Sequence, residues 1–312
     1  MSVILCDASR GRRAGIHHLM TLAACLVMTS ASAELSARDA PHGIVSSPVT
    51  GSLYLDGAAI GDYMVVVGER GRILVSRDAG RAWTRADAPT RATLTGVALL
   101  DLTHGWAVGH DAVILRTRDG GLTWDSVFAA PEEERPLLDV WFESERHGFA
   151  VGAYGLFLET HDGGDTWESR DIGVGDHHLN QIRAASPTRL YIAAEAGSVY
   201  RSDNTGQSWQ HLNVPYAGSF FGTLPLDDQR VYLFGLRGHL FYSDDAGASW
   251  RPVETRSASL LTDAIRIDSH GVLFTGMDGM LLIGKDNGGS VTPVQRAGDP
   301  DVRLVFVHQA SA

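Results

Sequence analysis

A chain of 312 residues, 44% hydrophobic and with 35 glycines, is long enough for one large core or two ordinary domains, and its glycine content suits a turn-rich β fold. Its formal charge of −11 argues against generic nucleic-acid binding. The only cysteines are Cys6 and Cys25, so no disulfide framework is expected beyond the N-terminal region.

In chain order, Arg10, Arg12 and Arg13 precede an apolar stretch over residues 19–28 and then Ala31-Ser32-Ala33. A basic region, a short apolar run and an A-x-A site predict a secretory signal peptide over 1–33, leaving 34–312 as one β domain. The run falls short of the ~20 residues a spanning helix needs. Leu22-Ala23-Ala24-Cys25 also matches a lipobox, which would anchor the chain by a lipid on Cys25. Hydrophobicity continuing through Leu26, Val27 and Met28 favours cleavage after Ala33. The protein is therefore expected to be exported, periplasmic or extracellular. Cleavage would remove three Arg and one Asp, leaving a charge of −13 and no cysteine.

From residue 76 onward the pattern [ST]-x-[DN]-x-G-x-x-W recurs five times, at Asp78/Trp83, Asp119/Trp124, Asp162/Trp167, Asn204/Trp209 and Asp245/Trp250. A sixth, decayed copy has Asp286 with Val291 in place of Trp. The Asp/Asn positions are 41, 43, 42, 41 and 41 residues apart. Ten residues before each stands a small residue, followed three later by another: Gly68/Gly71, Gly109/Ala112, Gly152/Gly155, Ala194/Gly197, Gly235/Gly238 and Gly276/Gly279. Such pairs predict a tight hairpin that uses positive φ.

In the second repeat, residues 94–100, 105–108, 113–117 and 123–127 read as four short strands separated by turn residues. Four strands every 41–43 residues make one propeller blade, and helical periodicity is missing from the repeats. The expected fold is an all-β propeller. It should have seven blades with a reduced seventh, in which 303–308 gives the first strand and 43–49 the last; six blades is the alternative. Each boxed Asp or Asn should accept backbone N–H groups of its own turn. Each boxed Trp should start the last strand and wedge, buried, between neighbouring blades. The boxes are thus read as structural, which leaves no catalytic residue assigned.

Propeller topology puts the boxes on one face and the second-to-third-strand hairpins, with the connections between blades, on the other. Candidate partner-binding residues are Arg70, Tyr154 and Arg237 at hairpin tips, and Trp141, Arg183 and Arg266 near the central channel. Adjacent His177 and His178 lack the spaced third ligand of a zinc site, and the boxes lack the acceptor spacing of an EF-hand, so neither metal nor cofactor is expected.

The line Leu137-Leu138-Asp139-Val140-Trp141-Phe142, His147-Gly148-Phe149-Ala150-Val151-Gly152, Gly155 and Thr160-His161-Asp162-Gly163-Gly164-Asp165-Thr166-Trp167 closely resembles the photosystem II stability/assembly factor family. His104-Gly105-Trp106-Ala107-Val108-Gly109 repeats its middle element. The resemblance covers residues 51 to about 295. It implies a seven-bladed propeller that holds a membrane-protein partner during assembly, without catalysis. A monomer that binds a membrane or envelope protein complex is expected. A sialidase-like glycosidase, for which Tyr154 near Glu132, Glu133 and Glu134 would be the pair to test, and a carbohydrate-binding propeller are the alternatives.

Overall fold

The computed structural model describes residues 52–267 and 270–294 in full, and the backbone strands Ile4–Cys6, Ile44–Val45, Arg303–Val305 and Val307–Gln309. Most of the expected export segment, including Cys25 and Ala33, lies outside the described residues. Blades 1 to 6 occupy residues 54–85, 94–128, 137–169, 179–212, 220–252 and 261–293. Each is a four-stranded antiparallel meander, and the first strands of successive blades lie side by side around the axis.

The expected all-β propeller is present, but the seventh blade is not: the described residues form six. Ile44–Val45 pairs with Trp83–Arg85 on the outer edge of blade 1. Val307–Gln309 runs parallel to Tyr54–Ile60 on the inner edge of the same blade, and it also meets the first strand of blade 6. Arg303–Val305 pairs with Ile4–Cys6. Of the segments expected to build a further blade, Ile44–Val45 and Val307–Gln309 thus extend the sheet of blade 1, covering edges that would otherwise present unpaired backbone.

The core is a set of layers between blades. Tyr63, Val65 and Val75 of blade 1 pack with Leu94, Val97 and Trp124 of blade 2. Tyr191 and Leu212 of blade 4 pack with Phe220 and Phe241 of blade 5, and Tyr232 and Phe234 of blade 5 with Phe274 and Leu282 of blade 6. Val291, which replaces the Trp of the sixth box, is buried in that last layer.

The boxed tryptophans do not all behave as expected. Trp124, Trp167, Trp209 and Trp250 each join the layer shared with the preceding blade, whereas Trp83 packs on Tyr54, Met64 and Leu74 of its own blade. Trp83 and Trp124 are buried, and their Nε1 atoms donate to Gly80 O at 3.0 Å and Gly121 O at 3.1 Å. Trp167, Trp209 and Trp250 are a correction, because they are only half-buried. Their Nε1 atoms are enclosed but have no acceptor among the described residues. They also stand just before the last strands, Glu168–Ser169, Gln210–Leu212 and Arg251–Pro252, instead of starting them.

Cover on the outer edge accounts for the difference. Val45 pairs with Trp83, and Asp87 bridges to Thr123 beside Trp124, so extra backbone lies along those two edges. Among the described residues no strand pairs outside Trp167, Trp209 or Trp250. Fully burying one indole removes on the order of 200 Å2 from water, about 5 kcal/mol before entropic costs, and these three gain proportionately less.

In all five complete boxes the leading hydroxyl does two jobs. Ser76 Oγ donates to Asp78 Oδ1 at 2.8 Å and accepts the Gly80 N–H at 2.8 Å. The carboxylate then accepts the N–H four residues on, Ala82 N at 2.9 Å. Thr117, Thr160, Ser202 and Ser243 repeat the pattern. The boxed glycine is left-handed, with φ of +81° at Gly80 and +93° at Gly164. Backbone bonds such as Gly163 N to Arg146 O, 2.8 Å, seat the box on the first turn of its own blade.

The hairpins use their small residues differently from the expectation. The first glycine is extended, with φ −175° at Gly68, and what it supplies is room: a Cβ there would lie 2.1 Å from Leu53 O. The positive φ falls instead on the tip residue, 57° at Arg70 and 54° at Tyr154, and on the second glycine.

Asp119 accepts from the Thr123 N–H and hydroxyl, and from the Thr117 hydroxyl. We expect Asp119→Ala to lower unfolding free energy by about 1–3 kcal/mol in urea titrations, and Asp119→Asn to cost less. Asn204 already fills the equivalent place in blade 4. Equal losses for the two variants would show that hydrogen-bond acceptance is not what the box provides.

Candidate partner-binding face

A set of arginines holds one blade to the next. Arg77 Nη2 donates to Gly120 O at 3.2 Å, Arg116 Nη1 to Gly163 O at 2.8 Å, Arg170 Nη1 to Gly206 O at 3.2 Å and Arg201 Nη1 to Ala246 O at 2.6 Å. Arg251 reaches Gly288 O in the same way. In each case a guanidinium of one blade binds a carbonyl in the box turn of the next. The decayed sixth box adds its carboxylate to this carbonyl contact, as Asp286 Oδ2 lies 3.0 Å from Arg230 Nη1 of blade 5.

The channel holds a second layer of inter-blade bonds. Asp56, Gly96, Asp139, Gln181, Gly222 and Asp263 occupy one register position, just after the bulge in each first strand. Asp56 Oδ2 accepts Val97 N at 2.8 Å, Asp139 Oδ2 accepts Ile182 N at 2.9 Å, and Gln181 Oε1 accepts Thr223 N at 2.9 Å. Arg183 Nη1 donates to Asp139 at 2.5 Å. Burial pushes the carboxyls of Asp56, Asp139 and Asp263 up, against the pull of Arg183. Burial disfavours the Arg183 charge, but Asp139, Asp263 and Asp56 outweigh it and raise its pKa.

Of the residues predicted at the channel, Arg183 lines it but is committed to Asp139, and Trp141 stacks on Phe149 with centroids 5.9 Å apart. Arg266 is a correction. It points out of the channel, with Nη1 donating to Leu226 O at 3.0 Å and Nη2 3.7 Å from Asp286. It lies one place further along the strand than the residue equivalent to Arg183, so alternation turns it to the opposite side.

On the hairpin face, Arg70, Tyr154 and Arg237 stand at exposed tips as predicted. Tyr154 is 54% exposed, and its ring meets His178 edge-on at 4.8 Å; Glu133 pairs with Arg135. His178 Nδ1 lies 3.4 Å from Glu195, so this histidine joins two neighbouring tips.

Arg70 is brought together with three arginines that the sequence reading left out of the candidate set. Arg70, Arg72, Arg85 and Arg91 line an open hollow of about 810 Å3 on the hairpin side of blade 1, with Asp87 the one carboxylate among its described lining residues. None of the four forms an ion pair among the described residues. Repeat position held the signal, because the tip, the start of the third strand, the end of the fourth and the following connection converge in any blade. No helix among the described residues is long and apolar enough to cross a membrane.

A family model described as "Photosynthesis system II assembly factor YCF48" matches residues 75–136 and 126–297. Among curated proteins, a photosystem II assembly lipoprotein Ycf48 of Parasynechococcus marenigrum is 42% identical over 141 residues, 44% of this chain and 42% of that protein. A photosystem II assembly protein Ycf48 of a Synechococcus strain is 35% identical over 136 residues, 42% of this chain and 40% of that protein. The chain thus aligns with less than half the length of these relatives. A solved structure described as "YCF48 bound to D1 peptide" superposes with a TM-score of 0.64 at 19% identity, covering 82% of this chain and 86% of that one. A streptogramin B lyase superposes at 0.69 with 13% identity, covering 83% and 89%, so the architecture also serves enzymes.

The carboxylates of the boxes and of the channel titrate in opposite senses. The Thr166 hydroxyl and N–H hold Asp162 at about 2, and the Ser249 hydroxyl, against a smaller effect of burial, holds Asp245 low. A depressed folded pKa gives stability that is present above the unfolded value of ~3.9 and lost as pH falls through the folded one. The raised channel carboxyls bind protons more readily folded than unfolded, so their contribution falls as pH rises above that value. Unfolding free energy should therefore rise as pH is lowered from 8 toward about 4, then fall toward 2. Asp263→Asn should flatten the upper limb in denaturant titrations across this range, and an unchanged limb would show that Asp263 does not titrate with folding.

Proposed function

Because the chain belongs to the photosystem II assembly factor YCF48 family, we propose that it is an exported, non-enzymatic propeller that binds part of a membrane or envelope protein complex during assembly. The observation that carries this reading is the hollow of Arg70, Arg72, Arg85 and Arg91. Four guanidinium groups gathered without an ion pair among the described residues, in a chain of net charge −11, make a basic spot that favours an acidic partner. Arginine forks bind carboxylates in pairs of parallel hydrogen bonds, which suits an acidic segment or a free chain terminus.

The family structure described as bound to a D1 peptide supports a polypeptide ligand. The relatives point to assembly; what is assembled here is left to the chemistry of the hollow. The protein acts as a monomer, and a rigid scaffold with variable polar tips suits holding over turnover. It is exported, and the relatives named as lipoproteins favour a lipid on Cys25 more than the sequence reading did.

Affinity capture from native membranes should recover an integral-membrane partner reproducibly. Arg72→Glu/Arg91→Glu should weaken that capture at least about 100-fold, since each charged contact contributes ~1.5–3 kcal/mol. Tyr154→Phe should leave it unchanged. Undiminished capture by the double variant would remove the hollow from the binding surface.

A further inference from the structure

On the box face, one set of three equivalent positions departs in blade 3 from what its neighbour does. These positions are the residue before the second strand, the penultimate residue of the third strand and the second residue of the box. In blade 4 they are Arg189, Arg201 and Asp203, an ordinary ion-pair network with Arg189–Asp203 at 2.5 Å and Arg201–Asp203 at 2.9 Å. In blade 3 they are His147, Glu159 and His161.

His147 Nε2 lies 2.9 Å and His161 Nε2 3.4 Å from the same oxygen, Glu159 Oε1. The two imidazoles stack with centroids 4.9 Å apart and planes 2° from parallel. The three donor atoms lie within 4.8 Å of one another. The surroundings orient this set. Glu143 Oε2 holds His147 Nδ1 at 2.8 Å, which turns Nε2 inward. Arg170 Nη1 occupies the other carboxylate oxygen, Glu159 Oε2, at 2.5 Å, leaving Oε1 directed at the two rings. Glu159 is buried and held by Arg170 and the rings, while the His161 side chain is 70% exposed.

We propose that His147 Nε2, His161 Nε2 and Glu159 Oε1 form a binding site for one divalent transition-metal ion of the zinc class, open to solvent on the fourth side. Two imidazoles and one carboxylate oxygen are a ligand set that such ions favour. Bonds of about 2.0–2.2 Å require the donors to draw together slightly, and exposed His161 is free to supply that movement. A carboxylate on the distal nitrogen of a ligating histidine is the usual outer-shell arrangement, and Glu143 provides it. The ion would replace the direct contacts between the rings and Oε1, and would tie the first turn of blade 3 to its box. Spacing in the sequence hides the set, because His147 stands at the second strand and meets Glu159 and His161 only through that strand's pairing with the third.

Nearby Asp101, His104 and Glu145 provide the control, since their donor atoms also cluster within 4.8 Å. Titrating the purified protein calorimetrically with Zn2+, and with Co2+ followed by visible absorption, should give one ion per chain with the spectrum of nitrogen and oxygen ligation. His161→Ala removes only an exposed side chain and should weaken Zn2+ binding at least tenfold, with an unchanged circular dichroism spectrum. Glu145→Gln should bind as the parent does. Binding within twofold of the parent in His161→Ala, loss of binding in Glu145→Gln, or no stoichiometric binding by the parent would each overturn the proposal.

Discussion

Everything in this propeller rests on the box turn, in which one hydroxyl and one carboxylate hold two successive left-handed residues against their own preference. Once Ser76 or Thr160 has bridged the boxed Asp and the Gly N–H, the box carbonyls point outward toward the preceding blade. That orientation is what Arg77, Arg116, Arg170 and Arg201 exploit. The turn therefore does more than end a strand: it turns backbone acceptors into the docking points of a neighbouring sheet. Without disulfides in the described residues, such contacts and the apolar layers beside them hold the ring.

The channel solves the same problem from inside. A bulge in each first strand puts one side chain where it can cap an N–H of the next blade, and Asp56, Asp139 and Gln181 do so. Gly96 and Gly222 occupy the same place without a side chain. The cost of three buried carboxyls around one guanidinium is met partly by raised proton affinity. Arg183 is thus part of the frame, whereas Arg70, Arg72, Arg85 and Arg91 of blade 1 gather around one hollow with no ion pair among the described residues.

How much was legible in the sequence follows from which features repeat. The box recurs every 41–43 residues, so the blades, their strands and the assignment of loops to faces could be read directly. Strand pairing at the ends could not. A short apolar segment such as 303–308 says that it is a strand but not which edge it joins, and here Ile44–Val45 and Val307–Gln309 extend blade 1. For the same reason Trp209 and Trp250 looked equivalent to Trp83 and Trp124, although only the latter two gain backbone cover on their outer edge. The first hairpin glycine was recognised for the wrong reason, since close approach to Leu53 O and positive φ both select glycine. Clamping and unpaired arginines share one residue type, so only their partners separate Arg116 from Arg72. The His147, Glu159 and His161 cluster was illegible because His147 joins the other two only through the pairing of the second strand with the third.

The most direct measurement is hydrogen–deuterium exchange of the protein with and without a captured membrane-protein partner. The account predicts protection confined to residues 69–72 and 85–91, with the box turns exchanging as in the free protein. Protection centred on the box turns, with the arginine hollow unaffected, would contradict it.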